Sequence, residues 1–222
     1  MSRVGVLALQ GDVPEHRRAL EGVVPERDVR LVRSVADLRA VDALFLPGGE
    51  STTIARLLES AGIWTVLRHR LDEGLPVLAT CAGLILLART LEPSPSGRDP
   101  PTLGVLDIRV RRNDYGRQRE SFEAPVRVDG LAGGPYPGVF IRSPRILAVG
   151  AGARPFAFHG TEVVGVRVGA VWGLTFHPEL SGDPRLHRAF LQAARGHKTA
   201  TPKRSRTTTT TTRASPTTSA PR

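Results

Sequence analysis

Cysteine is almost missing: Cys81 is the only one in 222 residues. That excludes an intramolecular disulfide and any site built on a cysteine pair, and it fits a reducing compartment. Clustered histidine ligands are missing too, so no metal site is expected. No apolar stretch is long enough to span a bilayer. Met1-Ser2-Arg3-Val4-Gly5-Val6 enters strand-like sequence directly, without the layout of a signal peptide. These absences predict a cytoplasmic protein. Neither Gly-x-x-x-x-Gly-Lys nor Gly-x-Gly-x-x-Gly occurs, which leaves nucleotide binding little support. The folded part shows no internal repeat.

The net charge of +10 is unevenly spread. Lys198, Lys203, Arg204, Arg206, Arg213 and Arg222 follow Gly196 with no acid among them, and without these six the balance is 25 basic against 21 acidic residues. Over half of the excess is therefore in the last 26 or so residues, and the rest is only mildly basic, which is weak support for a nucleic-acid partner. From His197 on, threonine runs with scattered Pro, Ala and Arg offer nothing to bury. The chain thus divides into a domain over 1–196 and a disordered basic tail over 197–222.

The first half alternates strand-like and helix-like stretches. Strands are predicted at 3–9, 29–33, 41–46 and 76–80, and helices at about 13–22 (N-capped by Asp12), 52–60, 63–73 and 82–90. This alternation argues for a parallel sheet with helices on both faces, and such sheets bind ligands beyond the carboxyl ends of their strands. Gln10, the Gly48-Gly49 turn and Cys81 would all lie at that edge. Glu92–Pro101 is rich in Pro, Ser and Gly and reads as a surface loop. Short strands are then predicted at 103–110, 122–128, 138–141, 145–149, 155–159, 162–168 and 170–175, as antiparallel strands extending or capping the sheet. A last helix runs from Asp183-Pro184 to about Arg195.

Cys81 sits in Val77-Leu78-Ala79-Thr80-Cys81-Ala82-Gly83, between a strand and a helix. Such a turn lifts a nucleophile off the sheet, and the helix start favours a thiolate. A buried structural cysteine is the blander reading. Phe176-His177-Pro178-Glu179 also ends a strand. A cysteine nucleophile needs a base, and a base needs a carboxylate to fix its tautomer. In extended chain, His177 and Glu179 point the same way. A surface loop with an incidental His and Glu is the alternative. His16, His69, His159, His187 and His197 have no comparable context and read as surface or packing residues. Pro47-Gly48-Gly49-Glu50-Ser51 exposes backbone N–H groups that could hold an oxyanion or a phosphate; a plain turn explains it equally well. Arg109, Arg111, Arg112, Arg117 and Arg119 form either a nucleic-acid patch or a solvated set from which one grips a substrate carboxylate, with Arg142 a similar candidate.

Taken together, Leu9-Gln10-Gly11, Leu46-Pro47-Gly48-Gly49-Glu50-Ser51-Thr52-Thr53, Thr80-Cys81-Ala82-Gly83-Leu84, Arg112-Asn113-Asp114-Tyr115-Gly116-Arg117-Gln118, Ser121-Phe122-Glu123, Gly138-Val139-Phe140-Ile141-Arg142 and Phe176-His177-Pro178-Glu179-Leu180 resemble, in order, the glutaminase-subunit family of pyridoxal 5′-phosphate synthase, within the class I glutamine amidotransferases. The resemblance runs from residue 4 to about 195. It implies a three-layer α/β/α, flavodoxin-like fold with a mostly parallel central sheet and added antiparallel strands. It implies a triad of Cys81, His177 and Glu179, and L-glutamine contacts from Gly48, Gly49, Glu50, Arg112, Ile141 and Arg142. It also implies an oxyanion held by backbone N–H groups of Gly48, Gly49 and Ala82. No cofactor is implied. The implied partner is a synthase subunit, twelve of each in the assembly, which uses the released ammonia with ribose 5-phosphate and glyceraldehyde 3-phosphate to make pyridoxal 5′-phosphate. The family also implies poor activity until the subunits dock, and the helix after Asp12 is the candidate docking surface. Three departures stand out: Ala79 where the family often has Gly, a long 92–101 loop, and the tail after 196. Another class I amidotransferase, a γ-glutamyl hydrolase, or a non-catalytic nucleic-acid-binding protein are the rival readings.

Overall fold

Runs of apolar residues with alternating direction build the centre of this protein. A computed structural model describes residues 3–112, 114 and 121–200, with backbone alone for 197–200. Strands β1 (Val4–Leu7), β2 (Val29–Val32), β3 (Ala43–Leu46) and β4 (Val77–Thr80) lie parallel in the order β2-β1-β3-β4. Helices α1 (Val13–Leu20), α2 (Val35–Arg39), α3 (Ser51–Ser60), α4 (Ile63–Asp72) and α5 (Ala82–Leu87) link or follow them. β1, β3 and β4 are buried along their whole length, as strands covered on both faces must be. Side chains part by period two. Leu44, Leu46, Val77 and Ala79 join one core with residues of α3, α4 and α5; Phe45 and Leu78 join another with Leu20 of α1.

The second half departs from prediction in instructive ways. β5 (Ala88–Leu91), β6 (Leu106–Arg111), β7 (Phe122–Val128), β8 (Tyr136–Phe140), β9 (Arg145–Val149), β10 (Arg154–His159), β11 (Glu162–Val168) and β12 (Val171–Leu174) follow, and α6 (Arg185–Ala200) closes the described chain. The strand at 170–175 was expected to be antiparallel to the parallel set. It instead lies parallel to β4, so the main sheet runs β2-β1-β3-β4-β12-β11-β10-β7-β8. β11, β10, β7 and β8 are the antiparallel extension. The helix expected over 82–90 stops at Leu87. Ala88 turns extended (φ −60°, ψ 149°), and β5 pairs with β6 and β6 with β9 in a separate three-stranded sheet. α2 was not expected; Ser34 caps it by accepting a hydrogen bond from the Asp37 N–H at 3.2 Å. The last helix reaches Ala200, past the expected boundary at 196. From residue 201 the expected tail lies outside the described residues.

α1 and α6 cover one face of the main sheet, and α3, α4 and α5 the other. Gly83 lets α5 approach β3. A Cβ on Gly83 would lie 2.3 Å from the Leu46 carbonyl oxygen, a backbone atom that cannot step aside. G83A should therefore cost about 1–3 kcal/mol of stability in urea denaturation, and an unchanged midpoint would contradict this packing.

Candidate active site

The carboxyl ends of β1, β3, β4 and β12 lie side by side, and each leads within a few residues to a residue of the site. After β4 the chain turns at Cys81, whose φ of 47° and ψ of −102° place it in strained backbone. Among the described residues, only Cys81 and Arg142 combine a side chain with positive φ. The turn is anchored by the Cys81 N–H, which donates to the Leu174 carbonyl at 2.9 Å. Cys81 then stands at the head of α5, where the first N–H groups, Ala82 included, have no partner within the helix. Its thiol approaches the Ile141 carbonyl at 4.0 Å.

After β3 comes the Gly48-Gly49 turn. Gly48 has no room for a side chain: a Cβ would lie 2.4 Å from His177 Cε1 and 2.6 Å from Asp12 Oδ2. Gly49, at φ 143°, would strike the Gln10 side chain. Gln10 Oε1 accepts the Glu50 N–H at 2.9 Å, tying the loop after β1 to the loop after β3. The Gly48 carbonyl accepts the Asp12 N–H at 3.3 Å. Glu50 caps α3 by accepting the Thr53 N–H at 2.8 Å and also receives Arg112 Nη2 at 3.3 Å. Burial pushes the Glu50 pKa up, but the Thr53 hydrogen bonds and the Arg112 charge more than offset it and hold it below the usual range.

After β12 comes His177, 4% exposed, whose N–H is fixed to the Val139 carbonyl at 2.8 Å. The chain is not extended from His177 to Glu179, as the sequence suggested. Pro178–Leu180 is a single 3₁₀ turn, and it swings Glu179 back so that His177 Nδ1 meets Glu179 Oε1 at 2.8 Å. Asp12 Oδ2 lies 3.2 Å from the same nitrogen. Burial works against the charged imidazole. The Asp12 carboxylate, the Cys81 sulfur and Glu179 outweigh it and raise the His177 pKa well above 6.5. For Glu179, burial raises the pKa, while the facing His16 and the hydrogen bond and charge of His177 bring it down to about 2. Asp12, His177 and Glu179 are close enough to suggest a metal site. Both carboxylates, however, face the same imidazole nitrogen, Nδ1, at hydrogen-bond distance, and read as its acceptors.

Cys81, His177, Gly49, Glu50, Ile141 and Arg142, together with Arg112, border one cavity of about 250 Å³. Glu179 stands behind His177, while Gly48 and Ala82 adjoin the cavity through the two turns. Arg112 is 13% exposed at its side chain and already engaged: besides Glu50 it donates to Asp99 Oδ1 at 3.2 Å and the Arg98 carbonyl at 3.0 Å. The 92–101 loop thus holds Arg112 in place. The arginine cluster is not a bare patch. Arg109 and Arg111 pair with Glu92, and Arg111 also with Asp114. Arg117 and Arg119 lie outside the described residues.

Two histidines read as surface or packing residues belong behind the site. His16 and His187 are both 0% exposed. His16 Nε2 is 3.3 Å from Thr80 Oγ1 and 3.6 Å from Glu179 Oε2, and its Nδ1 is 3.3 Å from His187 Nε2. Burial lowers both of their pKa values, that of His187 to about 3. Asp12 and His16 lie four apart on one helix, a spacing that puts them on one face; that was the signal available in the sequence.

The SNO glutamine amidotransferase family model matches residues 6–195. A pyridoxal 5′-phosphate synthase subunit PdxT from Thermococcus onnurineus is 48% identical over 199 residues, covering 87% of this chain and 100% of the relative. One from Streptomyces coelicolor is 49% identical over 197 residues, covering 89% and 96%. A crystal structure of a glutamine amidotransferase superposes with a TM-score of 0.78 at 46% identity, over 86% of this chain and 98% of that one. A putative GMP synthase subunit from Thermoplasma acidophilum, at 16% identity and TM-score 0.62, shares the fold.

The His177–Glu179 pair gives stability a pH signature. Glu179, depressed to about 2 from 4.5, stabilises fully above pH 4.5 and loses this as pH falls through its folded value. His177, raised above 6.5, stabilises fully below pH 6.5 and loses this as pH rises through its folded value. The stability advantage of wild type over E179Q, from urea denaturation, should peak between pH 4.5 and 6.5. A difference that does not vary with pH would contradict the pairing.

Proposed function

This chain belongs to the SNO glutamine amidotransferase family, and on that premise we propose that it is the glutaminase subunit of pyridoxal 5′-phosphate synthase, hydrolysing L-glutamine to L-glutamate and ammonia. The observation that carries the reading is the cavity shared by Cys81 and a His177 backed by carboxylate. The Cys81 thiolate attacks the side-chain amide carbon of glutamine. Backbone N–H groups of Ala82 and the Gly48-Gly49 turn hold the developing oxyanion. His177, protonated, gives its Nε2 proton to the departing amide nitrogen, and ammonia leaves a thioester on Cys81. Neutral His177 then takes a proton from water, which attacks the thioester and releases glutamate and the thiol. Glu179 keeps the imidazole oriented and offsets its charge throughout. Arg142 and Arg112 supply positive charge for the substrate carboxylate, with Glu50 and Ile141 bordering the same space.

Ammonia set free in neutral water becomes ammonium, which is no nucleophile. A sheltered route to a second active site avoids that loss. The synthase subunit supplies that site, in a hetero-oligomer of twelve of each, and condenses the ammonia with ribose 5-phosphate and glyceraldehyde 3-phosphate. The Gly48–Gly49 peptide is fixed on its carbonyl side by the 3.3 Å contact from Asp12 N–H. Docking along α1, which begins at Val13 beside this contact, is a route by which the oxyanion loop reaches its working geometry. Among the described residues no helix is long and apolar enough to cross a membrane, and the reaction belongs in the cytoplasm with its substrates.

C81A should abolish glutamine hydrolysis with folding retained, measured as glutamate release with the synthase subunit present; full residual turnover would defeat the assignment. Wild type should turn over faster with the synthase subunit than alone, and equal rates would remove the activation step.

A further inference from the structure

The inner face of α1 touches both halves of the acid–base pair. Asp12 precedes the helix as its N-cap, yet its side chain makes no capping hydrogen bond. Pro14 removes one of the two N–H groups that an N-cap side chain can accept, that of the second helical position. The carboxylate turns instead to His177 Nδ1 at 3.2 Å, through the space left by Gly48. One turn on, His16 presents Nε2 to Glu179 Oε2 at 3.6 Å. That oxygen is buried and has no hydrogen-bond partner among the described residues, so His16 is the donor placed to answer it. A single tautomer serves the whole chain. With protons on both Nε2 atoms, His187 donates to His16 Nδ1 and His16 points its N–H toward Glu179 and Thr80.

We infer that Asp12 and His16 are positioning residues for the glutaminase reaction: Asp12 holds and charges His177 from the cavity side, and His16 holds the far oxygen of Glu179. The inference rests on the glutaminase reading for its kinetics, though not for its titration. The charged and titratable groups facing His177 are Asp12 and, behind Glu179, His16 from α1, His187 from α6, Glu179 itself, and Cys81 at the head of α5. Across the cavity stand Glu50, Arg112 and Arg142. Asp12 adds a second negative charge to the nitrogen opposite the one that works on substrate. It therefore favours the imidazolium that forms when the thiolate does. His16 contributes no net charge while neutral; it faces the carboxylate oxygen that neither His177 nor Thr80 engages.

The test uses the full chain with its histidines isotopically labelled, the His177 signal being assigned with H177N. D12N should lower the His177 midpoint by about one unit, the size expected from losing one adjacent carboxylate. In the assembled enzyme, H16F should lower kcat for glutamine about tenfold with KM held, as a misplaced catalytic pair does. H16Q, whose amide nitrogen can stand where Nε2 stands, should recover most of that loss. A wild-type His177 midpoint in D12N, wild-type turnover in H16F, or an H16Q as impaired as H16F would each overturn the inference. Should H16F fail to fold, the D12N titration decides the Asp12 half, and an H16Q with far less than wild-type turnover overturns the His16 half. C81A separates the two readings: it removes turnover if the glutaminase reading holds, and D12N still shifts His177 in that background whether or not it does.

Discussion

A buried 2.8 Å hydrogen bond between His177 Nδ1 and Glu179 Oε1 sets the terms for the rest of this molecule. Two ionised groups out of water are costly, and only tight pairing with further donors and acceptors makes them tolerable. Each neighbouring element answers part of that demand. β12 delivers the imidazole and the 3₁₀ turn delivers the carboxylate. β4 sends Thr80 Oγ1 to Glu179 Oε1 at 3.4 Å, and α1 sends Asp12 and His16. α6 closes the back with His187, stacked on Phe45 at 5.2 Å. The pair explains why an otherwise apolar interface between α1, α6 and the sheet contains two fully buried histidines.

The Cys81 side of the cavity obeys a different constraint, which is steric. Cys81 holds a positive φ that a cysteine adopts only under duress, and the surrounding backbone overdetermines it. Gly83 lets α5 close on Leu46, and Gly11 and Gly48 let the loops after β1 and β3 interlock. The thiol of Cys81 and the imidazole of His177 border the same cavity.

Much of this was legible in the sequence where one local rule governs. β1, β3 and β4 are apolar runs, which puts Gly48-Gly49 and Cys81 at the ends of β3 and β4, and the apolar run of β12 does the same for His177. The rest depended on distance. β12 reads like its antiparallel neighbours, and nothing in Val171–Leu174 says that it will slot beside β4. Ala88–Leu91 continues a helical composition, but its pairing with Leu106–Val110 overrides propensity. His16 and His187 are 171 positions apart, and their meeting is a tertiary fact. Asp12 is the N-cap residue that its place before the helix predicts, but its carboxylate makes no capping hydrogen bond and faces His177 instead, which only the tertiary structure reveals.

The account turns on the sulfur of Cys81 being the atom that attacks glutamine. The most direct measurement is intact and peptide mass spectrometry after exposure to a chloromethyl ketone analogue of glutamine, with the synthase subunit present. The account predicts a single covalent adduct, located on Cys81 and suppressed by excess L-glutamine. Continued glutamine hydrolysis by protein shown to be fully alkylated at Cys81 would contradict it.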